Sequence, residues 1–326
     1  MLRRALLARV GSLACLAAAA APGTWAQAYP TRPVRLVVPF ARGGPSDLIT
    51  RIVADQVAAA FGQPMLVENL PGAGGSVGAA ETARSPADGY SLGVATVSTT
   101  AANPAINPKL AYDPIADFTP IINMAATPYV LAVHRSFPAT DFKGFVAELK
   151  KNPGKYSFAS AGTGTSIHLL MELFKSLTGT FVTHIPYRGS GPAVQDTAAG
   201  QVPIILDGLP STLPFIKSGQ LVAIVVAAPG RLAALPDVPT FREVGLEPMN
   251  RTGYYGLYGP RGLPREVVDK VNAAVKKTLE EAAVRRRIED IGAFVVAGTP
   301  EQFGEQIKAE LAVFRRVVAQ QKLSLD

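Results

Sequence analysis

Three glycine-rich stretches hold the residue types best suited to chemistry: "FARGGPSD" at 40–47, "GGSVG" at 74–78 and "SAGTGTSIH" at 160–168. The first follows a β-branched run and opens a helical pattern. Amides at a helix start have no intrahelical acceptor and lie at the positive end of the helix dipole, so they favour an anion. The third stretch adds glycines for close backbone approach, four hydroxyls from Ser160, Thr163, Thr165 and Ser166, and His168 in the next helix's first turn. No carboxylate pair sits nearby to act as general acid and base. The chemistry on offer is the holding of an anion.

Other chemistries fit less well. A phosphate loop needs G-K-[ST] after its glycines, and none is present. A dinucleotide site would suit Glu68 at the end of the second strand, but Gly43-Gly44-Pro45 is not G-x-G-x-x-G and Pro45 has no amide proton. The 74–78 stretch spells G-x-S-x-G, with Ser76 as the nucleophile of a secreted serine hydrolase. That elbow needs its serine on a sharp turn directly off a strand. Residues 69–73, including Pro71, intervene, so a flexible glycine loop is the simpler reading. His134, His168 and His184 all follow Ser76, so chain order alone leaves a triad open. The three have no metal-ligand spacing. His134 and His184 fall on strands, where a structural imidazole is expected; His168 either faces a cleft or caps and packs.

These stretches need elements to position them. Strand-like runs occupy 34–38, 65–68, 91–96, 129–134, 156–160, 181–186, 203–206, 221–227 and 293–296, with helical patterns between most of them. Two long amphipathic helices, 265–291 and 300–321, close the chain. Such alternation implies parallel sheet flanked by helices. The chain also echoes itself. "VVPFARGGPSDLITRIVADQVAAAFGQPMLVEN" is matched by "YSFASAGTGTSIHLLMELFKSLTGTFVTHIPY", each reading strand, glycine turn, helix, strand. "PGAGGSVGAAETARSPADGYSLGVAT" is matched by "YRGSGPAVQDTAAGQVPIILDGL", each adding a second glycine turn, a helix and a third strand. The fold class is therefore α/β, with two similarly wound domains. Their glycine turns lie at the carboxyl ends of the strands, where open sheets bind ligands, and a cleft lies between them.

Composition narrows the class. The 326 residues suit two domains, and 48% hydrophobic against 17% charged content supports substantial cores. Arg3, Arg4 and Arg9, an apolar run to Ala21 and "AQA" at 26–28 read as a cleaved signal peptide of residues 1–28 and an exported protein. The one cysteine, Cys15, falls inside that leader, which excludes disulfides, thiol catalysis and thiolate metal sites from the mature chain. Loss of the three leader arginines lowers the formal charge of +7 by three. The "RRR" run at 285–287 lies among acids on a solvated face, and no aromatic–basic interleaving points to nucleic acid.

Eight segments, in order, resemble the Bug/TctC family of extracytoplasmic solute-binding receptors of tripartite tricarboxylate transporters. They are "YPTRPVRLVVPFARGGPSD", "VENLPGAGGSVGA", "PADGYSLGVAT", "YDPIADFTPI", "ASAGTGTSIHLLMELF", "HIPYRGSGPAVQDTAAGQV", "PDVPTFREVG" and "GYYGLYGPRGLP". The resemblance implies a periplasmic-binding-protein architecture whose interdomain cleft closes on a small carboxylate. It implies ligand contacts made by amides, hydroxyls and water, integral-membrane transporter components as partners, and no catalysis. An amino acid, a di- or tricarboxylate and an aromatic acid all fit as ligand. A monomer without cofactor or metal is expected. A ligand sensor serving a signalling partner is an alternative.

Analogy places the crossings between lobes near 125–128 and 250–253, giving domain 1 as 29–125 plus 251–326 and domain 2 as 126–250. The candidate ligand-binding residues are Phe40, Gly43, Gly44, Ser46 and Asp47 of the first turn, then Thr96 and Ser98 after the third strand. The second domain contributes Ser160, Gly162, Thr163, Gly164, Thr165, Ser166 and His168, then Tyr187 and Gly189, and finally Asp207 at the end of its third strand. Arg42 stands where the family turn usually has proline. It and Arg188 are the two cations placed to clamp a second carboxylate or to face solvent.

Overall fold

The computed structural model describes residues 29–324, so the leader expected at 1–28, with its Cys15, lies outside the described residues. The first repeat runs β1 (Val34–Val38), α1 (Pro45–Phe61), β2 (Met65–Asn69), α2 (Ser76–Arg84) and β3 (Ser91–Thr96). The second runs β5 (Ser157–Ser160), α5 (Ser166–Thr178), β6 (Thr183–Pro186), α6 (Ser190–Ala198) and β7 (Ile204–Gly208). Between them lie a π-helical turn (Ser98–Ala102), the short α3 (Asn103–Ile106), the long β4 (Phe118–His134) and α4 (Phe142–Lys151). After the second repeat come α7 (Leu209–Lys217), β8 (Leu221–Ala227), β9 (Thr252–Pro260), α8 (Arg265–Glu280), α9 (Ala282–Asp290), β10 (Phe294–Val295) and α10 (Pro300–Gln321).

The repeat read in the sequence is present in the pairing. β1 lies between β2 and β3, and β5 lies between β6 and β7, all in parallel. Strands such as "VRLVV" and "IILDG" are buried along almost their whole length, as expected of parallel strands covered by helices on both faces. The strand order is β2-β1-β3-β9-β4-β7-β5-β6, with β8 and β10 also paired to β4. The parallel triads are thus the wings, and their joint is antiparallel: β3 with β9, β9 with β4, and β4 with β7.

That joint is where the sequence was hardest to read. The run 129–134 is only the end of a 17-residue strand, because Pro120 and Pro128 made the earlier part resemble a loop. β9 reads "TGYYGLYGP", whose three glycines resemble turn residues. They serve close approach instead: a Cβ on Gly256 would lie 2.4 Å from both the Ile122 carbonyl oxygen and the Phe303 ring. The helix expected over 265–291 is divided at Glu281, which is extended at φ −65°, ψ 124°. Its apolar stripe steps by three or four residues from Val268 to Leu279 and then by five to Val284. A continuous helix would turn that last apolar group away from the core, and the break restores it.

Each wing has a core, with Leu169 of α5 reaching into the first and Phe40 into the second. Phe303, Ile307, Leu311 and Phe314 of α10 pack on Tyr254 and Tyr258 of β9, which ties the C-terminal helix back to the first wing. In the second wing Ile167, Leu170, Met171 and Phe174 of α5 pack with Phe145 and Phe158.

Candidate functional site

The glycine turns of the two repeats interlock in a reciprocal pattern. The turn after β1 meets the turn after β6: Ala41 N–H donates to the Arg188 carbonyl at 3.1 Å, and a Cβ on Gly191 would lie 2.0 Å from the Arg42 carbonyl oxygen. The turn after β2 meets the turn after β5, where a Cβ on Gly74 would lie 2.5 Å from the Thr163 carbonyl oxygen. The third strands complete the exchange. Ser98, after β3, accepts from Ser166 N–H at 3.1 Å at the start of α5, and Gly208, ending β7, abuts Pro45 at the start of α1. First-strand turns in each repeat therefore face second- and third-strand ends of the other.

These contacts enclose a small cavity of about 30 Å³, on the order of one or two waters. Its wall includes Gly44, Pro45 and Ser46 at the start of α1, Ser166 and Ile167 at the start of α5, and Ser190 at the start of α6. Thr96, Val97 and Ser98 at the start of the π turn, with Phe40, Ala161, Asp207, Tyr129, Tyr254 and Tyr255, complete it. Neither α1 nor α6 has a side-chain N-cap, so their leading amides remain available. Among the described residues no lysine, arginine or histidine lines this cavity. Several helix starts converging on one chamber favour an anion without a side-chain cation.

A second pocket of about 200 Å³ shares Phe40 and Ala161 with the first and extends along the loops at 72–75, 162–163 and 186–188. Phe40 and Ala161 thus form the partition between inner chamber and outer pocket. A larger groove, about 480 Å³, lies away from the glycine turns between α8, α10 and the start of β4.

Of the residues singled out in the sequence, the structure brings Phe40, Gly44, Ser46, Thr96, Ser98, Ser166 and Asp207 to the inner chamber. Gly162, Thr163 and Tyr187 line the outer pocket. The others shape the loops. Asp47 accepts from Gly43 N–H, Arg51 Nε–H and Asn69 Nδ2–H at 2.9–3.1 Å. Burial raises its pKa, and these donors more than offset that and hold it below the ordinary value. Thr165 caps α5, accepting from His168 N–H and donating to the Gly162 carbonyl, and His168 Nδ1 accepts from Gly164 N–H at 3.2 Å. Ser160 bonds His184 Nε2 at 2.6 Å, and His184 stacks on His168 with ring centroids 4.0 Å apart. Burial pushes His168 down and His184 to about 3, the neighbouring imidazole adding to the latter. Gly189 is the N-cap of α6. Arg42 and Arg188 are both exposed, the latter at the outer pocket.

Ser76 Oγ donates to the Ala73 carbonyl at 2.7 Å, and no hydrogen bond joins it to a histidine among the described residues. Tyr129, Tyr254, Tyr255 and Ser190 were missed. Tyr129 directly follows the crossing expected at 125–128, and Ser190 sits in a glycine turn already quoted; both signals were there. The two tyrosines of β9 lay in a strand masked by its glycines.

The fold is that of periplasmic binding proteins, with the candidate chamber at the meeting of the two wings. Residues 49–323 match the model of the tripartite tricarboxylate transporter family receptor, and the chain belongs to that family. A curated relative, BugT of Bordetella pertussis, is 33% identical over 314 residues, covering 96% of each chain. A solved periplasmic transporter shares 49% identity at a TM-score of 0.90, over 92% of this chain and 100% of that one. MatC from Rhodopseudomonas palustris, solved with bound malate, shares 36% identity at a TM-score of 0.86, over 89% and 100% of the two chains. An R. palustris protein solved with adipate shares 32% at 0.87, over 91% and 99%.

Proposed function

We propose that this protein is an exported receptor that captures a small carboxylate between its wings, one carboxylate group seated in the inner chamber, and presents it to the membrane components of a tripartite transporter. The observation that carries this reading is the convergence of the α1, α5 and α6 starts on one chamber without a lysine, arginine or histidine. The malate and adipate held by relatives support a dicarboxylate within the broader carboxylate class. Residues 29–125 with 251–326 and residues 126–250 act as the two lobes, and the crossings at β4 and the start of β9 act as the hinge. The protein works as a monomer and releases its ligand unchanged.

A thermal-shift screen tests this reading, with adipate, L-malate, citrate, L-glutamate and benzoate as probes. A ligand present at about a hundred times its Kd stabilises the folded state by about 2.7 kcal/mol, a shift of several degrees. At least one carboxylate should raise the melting temperature. A flat response to every one of them would reject carboxylate capture.

A further inference from the structure

Among the described residues Asp207 is the one carboxylate in the chamber wall, and it is 2% exposed. Its two oxygens are used unequally. Oδ1 accepts from Ser190 Oγ–H and from Gly208 N–H, both at 2.7 Å. Oδ2 has one long contact, from Ser211 Oγ–H at 3.3 Å. The titratable groups that share the chamber are the hydroxyls of Tyr129 on β4 and of Tyr254 and Tyr255 on β9, all pushed up by burial and neutral. On α6 and α7 the groups facing Asp207 are the Ser190 and Ser211 hydroxyls. No cation meets it. A second carboxylate brought into this space cannot stay ionised beside the first, because two like charges in a buried site force one to take up a proton.

We propose that Asp207 holds the ligand as a neutral acid, with a proton on Oδ2 that it donates to a ligand carboxylate oxygen, directly or through one water. The inference rests on the carboxylate reading above. Capture of each anion then takes one proton from solvent onto Asp207, and release returns it. Burial, opposed by the bonds from Ser190, Gly208 and Ser211, already pushes the empty site up to about 6, so the proton is available at modest cost. Asparagine reproduces the neutral acid: Oδ1 keeps both acceptor bonds and Nδ2–H stands where Oδ2–H would.

The test combines titration calorimetry and stability, with adipate and L-malate as probes. From about pH 7 to about pH 8, where neither probe titrates, wild-type affinity should fall about tenfold. Runs at about pH 7 to 8 in two buffers of different ionisation enthalpy should show uptake approaching one proton per ligand. Asp207→Asn should abolish the uptake and the pH dependence and bind about tenfold or more tightly than wild type at about pH 8. Zero uptake with pH-independent affinity, or weaker binding by Asp207→Asn, would overturn the proposal. Without ligand, wild type should lose stability relative to Asp207→Asn as pH rises from about 4 to about 6. A flat difference overturns the proposal even if neither probe binds, whereas failure of both probes alone counts against the dicarboxylate reading of the function.

Discussion

Gly164 shows how one residue without a side chain can hold a binding loop. It sits at φ +79°, its amide donates to His168 Nδ1, and a Cβ there would lie 3.2 Å from Asn103 Oδ1. Gly164→Val should therefore cost on the order of 1–2 kcal/mol of backbone strain and abolish ligand binding, with the far-UV spectrum preserved. Unaltered affinity would place the site elsewhere. The stacked His168 and His184 predict an acid response. Their folded pKa values lie below the unfolded one, so the unfolded state binds more protons in the window from about 6.5 down to about 3. Stability from this pair is full above that window and is lost as pH falls through it. Denaturation midpoints between about pH 7 and about pH 4 should fall less steeply in His184→Phe than in wild type. Which residues carried the site was only partly legible at this scale. Ser46 and Asp47 are neighbours in one helical turn, yet the first lines the chamber and the second turns to Arg51. Sequence shows both side chains but not the partner that claims one of them.

At the scale of elements, the strand–glycine turn–helix units were legible because β-branched runs, positive-φ glycines and apolar periodicity all agreed. β1, β3, β8 and α10 have the bounds that the pattern suggested. The joint was not, because prolines in β4 and glycines in β9 carry the opposite local signal; close packing explains the glycines, Gly256 against Ile122 and Phe303, Gly253 against Tyr129 and Gly259 against Leu263. The interlocked turns give a sharp test of closure. Gly191 has ordinary backbone geometry, and its space is taken by the Arg42 carbonyl of the opposite turn. Gly191→Ala should lower affinity at least tenfold by holding the turns apart, with the far-UV spectrum of wild type preserved. Equal affinity in the variant would mean that these turns need not meet for binding.

For the whole molecule, binding should draw the lobes together, and solution scattering should give a smaller radius of gyration with ligand than without. Gly191→Ala saturated with ligand should stay closer to the open value. No described helix is long and apolar enough to cross a membrane. Protein recovered after export should have an intact mass that begins near Tyr29; a retained leader would contradict the expected cleavage. The joint itself has a mechanical consequence. β4 and β9 pass between the wings side by side and antiparallel, paired at Thr127 with Gly253 and Pro128 with Thr252. Two strands bonded in this way bend together about a single line and resist sliding or swivelling. On the proposed hinge the lobes should then move with one degree of freedom, as a door on a pinned edge, so that each closure would return the same amides to the same register.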